Sequence, residues 1–255
     1  MEPVKYELSG SVATITLNRP ERLNAINRQT LAALSEYLEQ TAASGARVLV
    51  LRGAGRAFCA GQDLEEARGG ELDYEAHLEA YNRVFRQIRE LPLPVVAAVQ
   101  GVAAGAGMSL ALAADYRLLS ESAVFITAFA RIGLAPDTGM TYTLPRLVGW
   151  GRAFELLALS PEVAAAEALE LGLANRVVAD EAFEEELQAV AGLLASGPTL
   201  VHSLIKKALD YSATHPAAEV LAYEAALQKL AGASHDHREG LAAFAEKRRP
   251  DFKGR

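Results

Sequence analysis

The 255-residue chain has a single cysteine, Cys59, and a single tryptophan. One thiol cannot form an internal disulfide or supply a cysteine-based zinc site, and it fits a reducing compartment. No apolar run approaches the roughly 20 residues that span a bilayer. The N-terminal MEPVKYELSG also lacks the charged-then-apolar pattern of a secretion signal. The expected location is the cytoplasm. Positive charge is short as well: a formal net charge of −7 disfavours broad attraction to nucleic acid or to an anionic membrane. The sequence contains neither a G-x-x-x-x-G-K-[ST] phosphate cradle nor a G-x-S-x-G nucleophile elbow, which removes the chemistries those motifs serve. Gly105-Ala106-Gly107 lacks the third glycine of a dinucleotide fingerprint. His235 and His237 have no third ligand near them in sequence, so they read as part of a solvated tail rather than a metal site.

What the chain does have is apolar mass and alternation. With 51% hydrophobic residues it can bury a large core as one domain with an appendage. Residues 4 to 8 and 11 to 18 read as two strands joined at Ser9-Gly10, because Ala13, Ile15 and Leu17 alternate with other residues. Leu31, Leu34 and Leu38 mark a helix face, and Val48 to Leu51 a buried strand. Residues 73 to 90 read as an amphipathic helix with Leu78, Tyr81, Val84, Phe85 and Ile88 inward. Short strands are expected at 116 to 119 and 124 to 126, and mainly helix from Tyr142 onward, broken by strand character at 176 to 178. The pattern is that of an α/β core, over residues 1–195, followed by a helical C-terminal region, 196–255.

The centre of this arrangement is Gly101 to Leu112, GVAAGAGMSLAL, which follows the apolar run PVVAAV. It reads as a turn leading from a strand into an apolar helix at Gly105 and Gly107. Such a turn either packs a helix tightly on a strand or presents first-turn N–H groups to a negatively charged ligand. A second glycine-rich segment, Gly53 to Asp63, again follows a buried strand and exposes backbone, with Asp63 placed to cap a helix at Leu64. Cys59 within it reads as a small core hydrophobe. Asp137 lies in a Pro-Asp-Thr-Gly turn after the apolar stretch Ile132 to Pro136. It is either an N-cap for the following helix or a carboxylate with work to do.

Three blocks in this order, LNRPERLNAI at 17 to 26, AFCAGQDL at 57 to 64 and GVAAGAGMSLALAADYRLLSESAVF at 101 to 125, followed by IGLAPDTG, resemble the enoyl-CoA hydratase/isomerase (crotonase) superfamily. The resemblance implies a spiral of ββα units with a helical C-terminal trimerisation region. It also implies an acyl-CoA substrate and no separate cofactor or metal, since coenzyme A arrives as part of the thioester. Homotrimers or homohexamers are expected. By motif, the thioester oxygen would sit between the N–H groups of Gln62 and Ala106. CoA would rest near Ala25, Ala60 and Leu64, with Arg22 and a neighbouring subunit's Lys247 near its phosphates.

The two glutamates that hydratases of the family use fall here on Ser109 and Phe129, which leaves Asp137 as the carboxylate and Phe129 as an apolar wall. A lone carboxylate beside an enolate suits a proton shuttle, and an apolar setting would raise its pKa. The motifs, with the ending REGLAAFAEKRRPDFKGR, most resemble the branch that isomerises a ring epoxide of an aromatic acyl-CoA in phenylacetate breakdown. Straight-chain Δ3,Δ2-enoyl-CoA or dienoyl-CoA isomerisation, and non-catalytic acyl-CoA or RNA binding, are the alternatives.

Overall fold

A computed structural model of the chain describes residues 2–67 and 73–255. The strands β1 (Val4–Ser9), β2 (Val12–Leu17), β3 (Val48–Gly53), β4 (Val95–Val99), β5 (Val102–Ala104), β6 (Tyr116–Ser120), β7 (Val124–Ile126), β8 (Val163–Ala164) and β9 (Arg176–Val178) form two sheets. The larger runs β1-β2-β3-β4-β6-β9, and the smaller β5-β7-β8. Only β1 is antiparallel in the larger sheet; β2, β3, β4, β6 and β9 are mutually parallel. Parallel strands need crossovers. These are supplied by α1 (Arg28–Ala43) between β2 and β3, and by α2 (Leu64–Ala67) and α3 (Tyr74–Glu90) between β3 and β4. A further short helix, α4 (Ala106–Ala113), follows β5.

The run VLVL in β3 has no polar alternation because both faces of the sheet are covered. Leu49 and Leu51 point into the main core with Leu34 and Leu38 of α1 and Val84 and Ile88 of α3. Val48 and Val50 point the other way, with Val96 and Leu118, against a second apolar layer. The helices that follow are α5 (Met140–Leu159), α6 (Ala165–Glu170), α7 (Phe183–Ser196), α8 (Thr199–Ser212), α9 (Ala217–Gly232) and α10 (His235–Glu246). Helix α7 closes the second layer with Phe183, Leu187 and Val190. Among the described residues no single helix is long and apolar enough to cross a membrane.

Several local expectations are corrected. The segment after β4 is not only a turn: Val102–Ala104 is a strand, paired parallel with β7 at Val102↔Val124. The turn at Gln100-Gly101 therefore passes the chain from one sheet to the other. Helix α5 begins at Met140, and Gly149 interrupts it with a φ of 74°. His235 and His237 lie in the first turn of α10 with both side chains exposed to solvent. Between them Asp236 is buried, and its carboxylate accepts from the backbone N–H of Lys253 and of Gly254, each at 2.7 Å, which pins the C-terminus. Of the apolar C-terminal positions, Leu227 is buried whereas Leu221 and Leu230 are exposed.

Candidate active site

The two glycine-rich segments meet. Cys59 N–H donates to Val102 O at 3.0 Å, and Ala104 N–H donates back to Cys59 O at 2.9 Å, so the 57–63 loop is clamped to β5. On its other side the loop pairs with the LNAI segment: Ala60 N–H donates to Leu23 O, Ile26 N–H to Gly61 O and Asp63 N–H to Ile26 O. Gly61 has a φ of +93°, and a Cβ there would lie 2.7 Å from Ala104 O and 3.6 Å from Ala106 N, so only glycine fits. Between these clamps, the N–H groups of Gln62 and Ala106 have no acceptor among the described residues. Ala106 is the first residue of α4, where an unpaired N–H is expected. Two backbone donors thus border one space without a protein partner.

That space is a cavity of about 200 Å³ lined by Ala60, Gly61, Gln62, Leu64, His77, Tyr81, Gly105, Ala106, Ala128, Phe129, Arg131, Ile132, Leu134 and Asp137. Its walls are mostly apolar, and Asp137 is its one carboxylate among the described residues. A larger cleft of about 860 Å³, lined in part by Asp115, Lys206 and Leu209, lies elsewhere in the molecule and has neither of the two free donors.

Asp137 is not a side-chain cap. Its backbone carbonyl accepts from Met140 N–H at 2.9 Å, while its Oδ1 accepts the Thr138 hydroxyl at 2.7 Å. Gly139 holds the N-cap position of α5 with no side chain to offer. The carboxylate is therefore left to the cavity. Burial pushes its pKa above the ordinary range, against the opposing pull of the Thr138 hydroxyl and of His77. Ser109 is fully buried in α4, and its hydroxyl donates to Asp137 O at 3.4 Å. The position thus supports the turn that carries the carboxylate and offers no acid of its own. Phe129 is buried and lines the cavity.

The expected CoA contacts divide. Ala60 and Leu64 line the cavity, Leu64 being exposed at its edge. Ala25 and Arg22 are not lining residues but belong to the segment hydrogen-bonded to the 60–63 loop, and Arg22 is paired with Glu65 at 2.9 Å on the exposed surface. Lys247 ends α10 in the left-handed region, is exposed and does not line the cavity. Cys59 is buried, and its thiol is pushed up to about 12, which agrees with a core role. His77 was missed by sequence reasoning. It lies one turn before Tyr81 on α3, with the rings tilted 5.1 Å apart, and both line the cavity. The i, i+4 spacing to Tyr81 and then to Phe85 was the signal that could have found it.

A family model described as enoyl-CoA hydratase/isomerase matches residues 7–255. The chain belongs to this family. It is 43% identical over 261 residues to the 1,2-epoxyphenylacetyl-CoA isomerase of Escherichia coli, covering all of both chains. It is 46% identical over 253 residues to a Rhodobacter capsulatus protein named as a probable enoyl-CoA hydratase, covering 99% of this chain and 98% of the relative. Among solved structures, the enoyl-CoA hydratase from Bacillus anthracis superposes with a TM-score of 0.94 at 34% identity, covering 99% of this chain and all of the other. This member of the enoyl-CoA hydratase/isomerase family therefore has the crotonase fold, and the family's substrates are CoA thioesters. Its relatives carry hydratase and isomerase names alike, so the choice of reaction falls to the residues of the cavity.

Proposed function

We propose that the protein is an acyl-CoA isomerase that works through a thioester enolate, with 1,2-epoxyphenylacetyl-CoA as substrate and oxepin-CoA as product. The observation that carries this reading is the pairing, among the described residues, of two free backbone donors with a single carboxylate in one cavity. The N–H groups of Gln62 and Ala106 receive the thioester oxygen. When the carboxylate of Asp137 takes a proton from the carbon next to the thioester, the electron pair moves onto that oxygen, and the two donors stabilise the new charge by roughly 3 kcal/mol each. For the epoxide, the carbon–carbon bond between the two epoxide carbons opens as the ring double bonds shift, which enlarges the ring to seven members. Returning the same proton to a ring carbon conjugated with the enolate completes an isomerisation in which no atom is gained or lost.

Water addition asks for more: one group to activate water and a second to deliver a proton. With Ser109 buried beneath the Asp137 turn and Phe129 in the wall, the second carboxylate is missing among the described lining residues. The compact cavity, walled by Tyr81, Phe129, Ile132 and Leu134, suits a ring better than an extended chain. Whole-length identity to the E. coli isomerase supports the same substrate. Arg22, Ala25, Ala60 and Leu64 would hold the CoA portion. Lys247 would reach its phosphates from a neighbouring subunit of a homotrimer or homohexamer, an assignment that a monomer by light scattering would remove.

The deciding assay offers the purified protein 1,2-epoxyphenylacetyl-CoA, cis-3-hexenoyl-CoA and crotonyl-CoA. The epoxide should be converted, and hydration of crotonyl-CoA should be slower on the order of 10²-fold or more, the usual contribution of a missing acid or base. Turnover of the hexenoyl substrate alone would make the protein a straight-chain enoyl-CoA isomerase, and fast hydration would make it a hydratase.

The raised pKa of Asp137 sets the acid side of the pH profile. The base must be ionised to act, so kcat/KM should fall as pH drops through a value above the ordinary aspartate range. Thr138→Val keeps the shape but deletes the donor that favours the ionised form. Its acid limb should therefore move to higher pH, and an unshifted limb would show that the limb belongs to another group.

A further inference from the structure

Among the described residues His77 is the one imidazole of the cavity, and its Nε2 is buried with no hydrogen-bond partner among them. A buried polar atom left unpaired destabilises a protein by about 1–3 kcal/mol, so native structures rarely keep one that nothing ever satisfies. The groups facing it from neighbouring elements are Asp137, Glu66 and Arg28, none of which bonds to it. Burial pushes the imidazole pKa down against the pull of Asp137 and Glu66, which favours the neutral ring. A neutral imidazole offers one N–H donor and one bare acceptor. Its position is fixed from both ends: its backbone N–H donates to Asp73 O at 2.9 Å, and its ring leans on Tyr81. The same ring also borders an outer groove between α1 and α3, lined by Arg28, Leu31, Ser35 and Arg83, and so forms part of the wall between groove and cavity.

We infer that His77 is a specificity-determining residue whose Nε2 hydrogen-bonds an oxygen carried on the acyl group itself, distinct from the thioester oxygen held by the backbone donors. The class of ligand it selects is an acyl-CoA oxygenated on a short ring, such as an epoxide or a hydroxyl, in preference to the matching hydrocarbon. An epoxide oxygen only accepts and takes the Nε2–H tautomer; a hydroxyl satisfies either tautomer. The physical basis is asymmetric: a site with a buried polar group loses most from the analogue that leaves that group unpaired. The inference rests on the acyl-CoA reading of the cavity and not on isomerisation.

Equilibrium binding of two thioesters that differ by one oxygen and carry no epoxide or 3-enoyl double bond to isomerise, freshly prepared 2-hydroxyphenylacetyl-CoA and phenylacetyl-CoA, tests it without turnover. The wild type should bind the hydroxylated ring about 10-fold more tightly, as one buried hydrogen bond implies. His77→Phe, which keeps the wall to the outer groove, should lose that preference while holding phenylacetyl-CoA within about 3-fold of the wild type. His77→Gln, which restores a donor and an acceptor, should recover part of it. Equal affinities in the wild type, or a preference that survives in His77→Phe, would overturn the inference, and the first of these needs no variant to fold. Epoxide turnover is scored separately: preference without turnover would count against the isomerase reading and leave His77 its role.

Discussion

Asp137→Asn is expected to lower kcat for epoxide and 3-enoyl isomerisation by about 10²–10⁴-fold, with CoA-ester affinity little changed. Asparagine fills nearly the same volume and can still accept from the Thr138 hydroxyl, so the turn before α5 should survive. It cannot take or return a proton. Because the carboxyl is buried enough to raise its pKa, exchanging it for a neutral amide removes a charge held at some cost. The variant should therefore be as stable as the wild type or slightly more so near pH 7. The sign follows from linkage. A carboxyl whose folded pKa is raised binds its proton more tightly folded than unfolded, so it subtracts stability as pH rises through that interval. Stability unchanged or improved, together with lost turnover and the disappearance of the acid limb, identifies a proton shuttle. Undiminished turnover would reduce Asp137 to a structural residue of the turn, and the chemistry would have to be sought in another group of the cavity.

How much of this was legible in the sequence depends on how local the determining interactions are. The larger sheet was readable, because strands such as VLVL in β3 and VVAAV in β4 are covered on both faces and carry continuous apolar runs. The backbone donors were readable as well, since small residues clustered after a buried strand leave few alternatives to exposed main chain. Strand β5 was not: three residues are too few to show a period, and its pairing with β7 and with Cys59 is non-local. Asp137 stood out by its apolar setting, but the choice between cap and free carboxylate turned on where α5 begins. That is fixed by Gly139 and by the main-chain bond from Met140. His77 was hidden because a histidine in the first turns of an amphipathic helix looks solvent-facing, and only the packing of α3 puts it in the cavity.

The same clamp that was invisible in the sequence predicts the second large effect, in Gly107→Ala. A Cβ at Gly107 would lie 2.3 Å from Cys59 O, 2.8 Å from Cys59 Cβ and 2.9 Å from Cys59 C. These are mostly backbone atoms already committed to Val102 and Ala104 of β5, so no side chain can swing away. Either α4 or the 57–63 loop must shift. One carries Ala106 N–H and the other Gln62 N–H, so the two donors lose their common target. Overpacking of this kind costs about 1–3 kcal/mol of stability, a Tm decrease of roughly 2–12 °C for a chain of this size. Misaligning one oxyanion donor costs about 10²–10³-fold in kcat. Gly192→Ala in α7, where a Cβ meets nothing within 4 Å, is the control and should leave turnover unchanged and stability equal or slightly higher. If Gly107→Ala lowered Tm yet kept kcat within about 3-fold of the wild type, the paired N–H groups would not be the site of charge stabilisation. A large fall in kcat at a temperature where the variant is fully folded, with the acid limb set by Asp137 unmoved, would support an enolate oxygen held between the two segments, because a shift of α4 that disturbed the base through Ser109 would move that limb as well.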